Sequence, residues 1–437
     1  MRELERPFPL AHSFRDPVHG FIRVSSQERE IIDSPEVQRL RRIHQLGPTY
    51  FVYHGAEHSR FGHALGTMEV ATRLFEVLWR KRPEALGPDP TRNWQLVRLA
   101  ALLHDVGHPP FSHATADVMP TNPETGRSYR HEDYTCAIIR SPRIARMIAD
   151  NFGSLGISAE LVAALLERPA ELDEEGVLLH QLVSGQLDAD RMDYLTRDSL
   201  YAGVVYGRFD IERLLDTITV ARWEDSPWLL AVETGGLFAL EALLLARYYM
   251  YIQVYLHDGR RFFDLALNSF LSNVLPDGTY PSPDQIDAYL RYDDLWLLQT
   301  ARDTAGAGDE WATALWQRKP WKTVDETEAH PDSGTVRRWS LAQNRLEAEF
   351  REGVIFDDAG AQAYHRVELG PYPLQAAERE GNFPILVVEQ GEMGGTPVES
   401  KSTMVQNLDA ERIVLMRLYA RADMLSDVKR AWEESYG

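Results

Sequence analysis

The stretch LVRLAALLHDVGHPPFSHA, residues 96–114, runs an apolar helical pattern directly into histidines and an aspartate. Its leucines and alanines follow the pattern of a helix buried on all sides, which predicts a helix over residues 93–106. Gly107 and the prolines that follow end this helix. In a regular helix His104 and His108 would share one face, with Asp105 about 100° away.

Histidine and aspartate side by side on a buried helix are costly unless they are paired or bound to a metal ion. A single histidine near a helix end is often a capping or hydrogen-bonded core residue, but that explanation weakens for the whole set. Imidazole and carboxylate without thiolate suit a first-row divalent ion or Mg²⁺ with positions left for water and substrate. Further ligands must come from other segments, of which HSRFGHALG supplies His63 and DADRMDYLTRD supplies Asp188, Asp190, Asp193 and Asp198.

Two later helical segments place polar and aromatic residues at intervals of four, and hence on one helix face. The first face carries Asp190, Tyr194 and Asp198, and the second carries Arg247, Tyr251 and Tyr255. The first could instead be a solvated acidic face, and the arginine of the second could form a structural ion pair. An arginine among buried aromatic residues otherwise indicates an anion site.

Composition limits the class of protein. With 437 residues, 44% hydrophobic and 26% charged, the chain is typical of a soluble globular protein with no membrane partner. We expect a cytoplasmic protein, because the start lacks a secretory signal pattern and Cys136 is the sole cysteine. A net charge of −20 makes nucleic acid an unlikely partner.

The pattern along the chain predicts a mainly α fold. A small hairpin over residues 14–24 precedes a run of helices, the last of them long, over residues 236–273 with a break at Gly259. A segment rich in proline, glycine and aspartate, residues 275–285, marks a boundary. We therefore expect a helical catalytic domain over residues 1–275 and a smaller α+β region over residues 276–437, for oligomerisation or regulation.

Several separated motifs occur in a fixed order: DPVHGFI, VQRLRRIHQLG, HSRFGHALG, LLHDVGHPPFSH, HED, DADRMDYLTRD and YLHDGRR. In this order the sequence resembles the HD-domain phosphohydrolase superfamily, within it the branch of deoxynucleoside triphosphate (dNTP) triphosphohydrolases. The resemblance spans residues 16–264. It implies a helical HD-domain core and hydrolysis of dNTPs to deoxynucleoside and inorganic triphosphate.

The resemblance also implies a role for individual residues. The metal ligands would be His63, His104, Asp105 and Asp190. The residues lining the reacting phosphate would be His108, His113 and His131, with His113 as the acid that protonates the leaving 5′-oxygen. The substrate contacts would be Gln45 and Leu46 at the deoxyribose, Arg60, Arg191 and Arg247 at the triphosphate, and Tyr194, Asp198 and Tyr255 at the sugar.

The sequence departs from the family pattern at two positions. Ala116 stands where the family has an acidic residue three positions after the catalytic histidine, and Asp117 would have to reach about 100° round the helix to replace it. Leu256 stands where some relatives have a polar residue near the base. The acid–base network and the base preference are therefore open.

The implied cofactor is a divalent metal ion, Mn, Mg, Fe, Co, Ni or Zn, with a second Mg²⁺ on the substrate phosphates as an option. The implied partners are the dNTP substrate, a nucleotide effector and further copies of the chain in a dimer or tetramer. Two other functions stay open. One is a phosphomonoesterase or phosphodiesterase acting on another nucleotide, and the other is a nucleotide-sensing regulator with little catalysis.

Overall fold

Most of the protein is helical, as predicted, and its strands form small sheets. The computed structural model describes residues 4–167, 172–358, 383–410 and 413–436. The helices are α1 Ser26–Ile32, α2 Pro35–Arg39, α3 Arg60–Lys81, α4 Pro90–Leu103, α5 His131–Arg140, α6 Pro142–Phe152, α7 Ala159–Glu167, α8 Glu174–Val183, α9 Ala189–Ala202, α10 Ile211–Thr217, α11 Leu237–Met250, α12 Asp258–Val274, α13 Ile286–Tyr289, α14 Asp294–Ala305, α15 Glu310–Trp316, α16 Ser333–Phe350, α17 Thr403–Ala410 and α18 Leu425–Tyr436. The strands are β1 His12–Asp16, β2 Gly20–Val24, β3 Ile218–Ala221, β4 Leu229–Glu233, β5 Lys322–Glu326, β6 Val354–Asp358, β7 Leu386–Val388, β8 Thr396–Pro397 and β9 Met416–Ala420.

Helix α4 lies in the core between α3 and α8. Its first turn is capped by Asp89, whose side chain accepts a hydrogen bond from the backbone N–H of Arg92, and its second half is buried on all sides. The helix ends at Leu103 rather than residue 106, because the chain tightens into turns with three-residue hydrogen bonds. His104 and Asp105 therefore lie in the turn after the helix, and the predicted helix face shared with His108 does not exist.

The strands form three sheets. The predicted hairpin is present as the antiparallel pair β1–β2. Strands β3, β4, β7 and β8 form the second sheet, in which β7 runs parallel to β4. Strands β4 and β7 are neighbours in the sheet although about 150 residues separate them in the chain. Strands β5, β9 and β6 form the third sheet, whose apolar side chains pack with those of α16 and α18.

The predicted long helix over residues 236–273 is interrupted. Helix α11 continues into a π-helical turn, Tyr251–Tyr255, and α12 starts a new helix with His257 as its cap. The interruption thus precedes Gly259. The stretch Thr234–Tyr255 has the length and hydropathy of a candidate membrane span, yet 50% of it is buried inside the protein, as is common for a core helix.

Candidate metal and phosphate site

Three helix ends bring the predicted metal ligands together. His63 lies in the first turn of α3, Asp190 in the first turn of α9, and His104 and Asp105 follow α4. Ligand atoms of His63, His104 and Asp105 all lie within 4.8 Å of one another. Asp190 Oδ1 lies 2.9 Å from His63 Nε2 and 3.6 Å from His104 Nε2. The four side chains can therefore reach a common ion.

Hydrogen bonds orient both histidines towards this cluster. His104 Nδ1 donates to the Ala101 carbonyl at 2.7 Å, and His63 Nδ1 donates to Asp193 Oδ2 at 2.8 Å. Each contact leaves Nε2 as the ring nitrogen that faces the other ligands. Within the described part of the chain, the buried Nε2 of His104 has no hydrogen-bond partner. A buried ring nitrogen that faces carboxylates in this way fits a metal ligand.

The charges at the cluster also favour a cation. Burial opposes a charged imidazole, but the carboxylates of Asp190 and Asp193 outweigh it and raise the pKa of His63 to about 10. Burial would raise the pKa of Asp105, yet Arg60 and the nearby imidazoles hold it well below its usual value. The carboxylates therefore stay ionised, and imidazole nitrogen with carboxylate oxygen is a donor set for a divalent metal.

A second layer of charged residues holds His63. Asp193 accepts from His63, from His19 Nε2 at 2.6 Å and from Arg197 Nε at 2.8 Å, and Arg197 also pairs with Asp16 at 2.9 Å. The sequence analysis named Asp193 only as one of several candidate ligands, and it gave no role to His19, Arg197 or Asp16. The signal present in the sequence was the spacing of four between Asp193 and Arg197 on one helix face.

Beside the metal cluster lie the rings of His108, His113 and His131, whose nitrogens fall within 4.8 Å of one another. His108 and His131 stack with ring centroids 3.8 Å apart, and His113 meets both edge-on. His108 Nε2 lies 3.1 Å from Asp105 Oδ1. Burial, and then the charge of Arg60, lower the pKa of His108 well below its usual value, so this imidazole is neutral.

Gly107 makes this arrangement possible. A β-carbon at this position would lie 2.2 Å from the backbone nitrogen of Thr135 and 2.4 Å from the carbonyl oxygen of His131. The absence of a side chain therefore lets the first turn of α5 touch the loop and places His131 against His108.

The predicted phosphate-binding arginines occupy three different environments. Arg60 is buried and contacts both Asp105 Oδ2 and Ser112 Oγ. Arg191 contacts Asp188, the capping residue of α9, and the Gly185 carbonyl. Burial, followed by the positive charge of Arg191, lowers the pKa of Arg247 to about 10. A buried guanidinium close to a second positive charge is a candidate for an anion contact, as the sequence predicts for Arg247.

The predicted sugar contacts form a row of aromatic rings leading away from the metal cluster. The ring centroid of Tyr194 lies 6.4 Å from that of His63 and 6.3 Å from that of Tyr255. The Tyr255 hydroxyl donates to Asp198 Oδ2 at 2.8 Å. His58, which sequence reasoning missed, contacts the other oxygen of Asp198 at 2.8 Å.

Gln45 and Leu46 are both buried, and the Gln45 N–H bonds the His58 carbonyl at 2.9 Å. This hydrogen bond links the segment of Gln45 and Leu46 to His58, the residue that contacts Asp198. Asp117 is exposed, as is His113, whereas Ala114 and Thr115 between them are buried. The structure thus brings the predicted residues into one region, and their individual roles stay predictions.

Comparison with known proteins supports this picture. Residues 60–198 match the HD domain family, and residues 209–437 match the family described as the HD associated region. The chain is 38% identical over 263 residues to the uncharacterized protein YwfO of Bacillus subtilis, covering 59% of this chain and 54% of that protein. It is 32% identical over 235 residues to the deoxynucleoside triphosphate triphosphohydrolase SAMHD1 of Gallus gallus, covering 49% of this chain and 38% of that protein.

The chain thus spans about half the length of these curated relatives or less. Among solved structures, a hypothetical protein from Aquifex aeolicus superimposes with a TM-score of 0.76 at 31% identity, covering 96% of this chain and 99% of that one. The matched regions include both the metal cluster and the C-terminal sheets. From the two family matches, these relatives and the clustered histidine and aspartate ligands, the chain belongs to the HD-domain phosphohydrolase superfamily.

Proposed function

We propose that this protein hydrolyses deoxynucleoside triphosphates to deoxynucleoside and inorganic triphosphate. The observation that carries the proposal is the position of Tyr194, whose ring lies between the metal cluster at His63 and the hydroxyl-binding pair of Tyr255 and its carboxylate partner. The groups proposed for a phosphate and those proposed for a sugar hydroxyl are therefore both next to the ring of Tyr194.

His63, His104, Asp105 and Asp190 would hold the divalent ion, with Mn²⁺ and Mg²⁺ as the first ions to test. When bound, the ion would polarise the phosphoryl group and activate water for attack. Because the pKa of His108 is lowered, its neutral ring has one N–H, which would be donated to a phosphoryl oxygen without adding charge.

His113 would give its proton to the 5′-oxygen that leaves the α-phosphorus. Imidazole has an ordinary pKa near neutrality, but desolvation by the surrounding protein, followed by the charge of His131, lowers the pKa of His113 well below that value. The negative charge of a bound substrate would have to raise this pKa again for His113 to act as the acid. The rings of His108 and His131, 4.8 Å and 5.1 Å away from that of His113, fix its orientation. Ala116 stands where the family has an acidic residue, so in this proposal solvent or a substrate phosphate would supply the proton that His113 passes on.

The polyphosphate distinguishes this proposal from hydrolysis of a simple phosphate ester. Arg60, Arg191 and Arg247 supply three guanidinium groups, more than a single phosphate needs. The relative SAMHD1 of Gallus gallus bears the name deoxynucleoside triphosphate triphosphohydrolase, which supports the same substrate class. Asp198 would accept the 3′-hydroxyl, and Leu46 would fill the space of a 2′-hydroxyl.

The direct test incubates the purified protein with Mn²⁺ or Mg²⁺ and each dNTP, and separates the products by anion-exchange chromatography. We expect equal amounts of deoxynucleoside and tripolyphosphate. Release of single phosphates, or of nucleoside monophosphate, would contradict the proposal and favour a phosphomonoesterase or phosphodiesterase. Tight binding of dNTP without turnover under several metals would favour a nucleotide-sensing regulator.

Two variants sharpen this test. Arg247→Ala should raise KM for dNTP without changing the hydrolysis of a small phosphate ester, because only the polyphosphate needs this guanidinium. Arg302→Ala is the matched control, since Arg302 pairs with Asp303 on the exposed face of α14. Sedimentation with and without dNTP tests the predicted dimer or tetramer and the predicted nucleotide effector.

A further inference from the structure

Asp294, the first residue of α14, joins two loops of the site through one buried carboxylate. Its side chain is 2% exposed. Oδ1 accepts from the backbone N–H of Phe111 at 2.7 Å, and Oδ2 accepts from the backbone N–H and the ring Nδ1 of His44 at 2.8 Å and 2.6 Å. The residue comes from the C-terminal part of the chain, outside the motifs that predicted the site.

The two loops carry different parts of the proposed reaction. His44 directly precedes Gln45 and Leu46, the proposed deoxyribose contacts. Phe111 lies two residues before His113, the proposed acid. The loops also touch directly, since the His44 ring stacks on that of Phe111 with centroids 5.9 Å apart.

The loop before His113 has a strained backbone. Phe111 and Ser112 have φ angles of 55° and 62°, in the left-handed region that side chains other than glycine rarely adopt. Such conformations persist where neighbouring groups hold them. The hydrogen bond from Phe111 N–H to Asp294 acts directly on the first of these residues.

Neighbouring residues hold the other end of the same loop. The Tyr289 hydroxyl donates to the Gly107 carbonyl at 2.7 Å. Arg39 donates to the His108 carbonyl at 2.9 Å and to the Tyr292 carbonyl at 2.7 Å. The loop that carries His108 and His113 is therefore held near its start and again at Phe111. Both contacts involve the short region from α13 to the start of α14.

We propose that Asp294 is a positioning residue, which fixes the deoxyribose-binding segment at Gln45 relative to the acid His113. The inference rests on the proposed function, and it adds a C-terminal residue that acts on turnover without touching substrate or metal. Asparagine has one oxygen that accepts hydrogen bonds and one N–H₂ group that donates them. In place of Asp294 its N–H₂ group would face an N–H donor of Phe111 or of His44, so at least one loop would lose its hydrogen bond to this residue.

The test compares Asp294→Asn with Asp303→Asn, a matched control on the exposed face of the same helix. Hydrogen–deuterium exchange measures the loops without any substrate. For Asp294→Asn we expect about tenfold faster exchange at the Phe111 amide, at the His44 amide or at both, and no change for the control. Unchanged exchange in both segments would overturn the proposal.

Turnover is measured on the same two variants with bound metal determined in parallel. We expect kcat for dNTP to fall by about 10-fold to 100-fold in Asp294→Asn, with metal content retained. In a His113→Ala background the same substitution should have no further effect on kcat, because Asp294 acts through His113. An equal effect in that background, or loss of the metal with the activity, would overturn the positioning role.

These measurements separate the inference from the function on which it rests. If the unaltered protein hydrolyses no dNTP, the proposed function fails on its own account. The exchange comparison still decides whether Asp294 anchors both loops, since it requires no catalysis.

Discussion

Replacing Asp193 with asparagine tests how the second layer of residues controls metal binding. Asp193 Oδ2 accepts from His63 Nδ1 at 2.8 Å, which keeps His63 Nε2 as the nitrogen that faces the other ligands. An asparagine keeps the shape of the side chain but removes its charge and one acceptor. Partners of this kind contribute about 10-fold to 100-fold in metal affinity, or about 1.4–2.7 kcal/mol.

Loss of the Arg197 ion pair would complicate a single measurement, because breaking a buried pair destabilises the fold. Asp16→Asn provides the matched control. Asp16 pairs with the same guanidinium at 2.9 Å, while His63 keeps its hydrogen bond to Asp193. Both variants should lower the melting temperature, and only Asp193→Asn should weaken metal binding.

The assay titrates metal-free protein with Mn²⁺ and follows free Mn²⁺ by its paramagnetic resonance signal, with calorimetry to confirm folding. Folded Asp193→Asn that binds Mn²⁺ as tightly as the unaltered protein would refute the reasoning. Equal weakening in Asp16→Asn would refute it as well, because the effect would then belong to the charge network rather than to the hydrogen bond on His63.

Three further substitutions address stability and substrate binding. Glu28→Gln should cost about 3–5 kcal/mol of unfolding free energy by urea titration, because it leaves the buried Arg98 without its ion-pair partner. Burial would raise the pKa of Glu28, but Arg98 holds it below its ordinary 4.5. The stability from this ion pair is therefore fully present above pH 4.5 and is lost as the pH falls through the lowered pKa. The Glu28→Gln variant should lack this decline in stability. Gly47→Ala should lower both melting temperature and turnover, because φ is +54° and a β-carbon would lie 2.6 Å from the Phe111 carbonyl; unchanged values would contradict the close packing of the two loops. Tyr255→Phe should raise KM for dNTP about tenfold without changing Mn²⁺ affinity, and an unchanged KM would remove the sugar contact from the proposal.

Sequence reasoning found the elements whose signals are local. The apolar run before His104 predicted the core helix α4, and the turn residues after Asp16 predicted the β1–β2 hairpin. The side-chain chemistry of the motifs gave a set of candidate metal ligands, because only a few residue types can serve as ligands. The family resemblance singled out the predicted ligands and the predicted phosphate-lining histidines from it. The boundary at residues 275–285 stays a prediction.

Other features depend on contacts between distant segments. The interruption at Tyr251–Tyr255 arises within a continuous helical pattern, and β7 pairs with β4 across a long stretch of chain. The strand pairing has no local signal, because backbone hydrogen bonds between remote segments leave no periodic trace in the sequence. The π-helical turn has none either, because its side chains continue the helical pattern on both sides.

The sequence by itself determined the chemistry of this protein: which imidazoles and carboxylates are available, and on which short elements they lie. Only the tertiary structure showed that Asp190 and Asp193, which belong to the same helix, contact opposite nitrogens of His63, as the proposed ligand and its proposed support would. It also decided that Asp294, remote from every motif, anchors the loops of the site. The physical reason is that the role of a carboxylate depends on its distance from other groups and on its orientation towards them. Both are fixed only when the helices pack together.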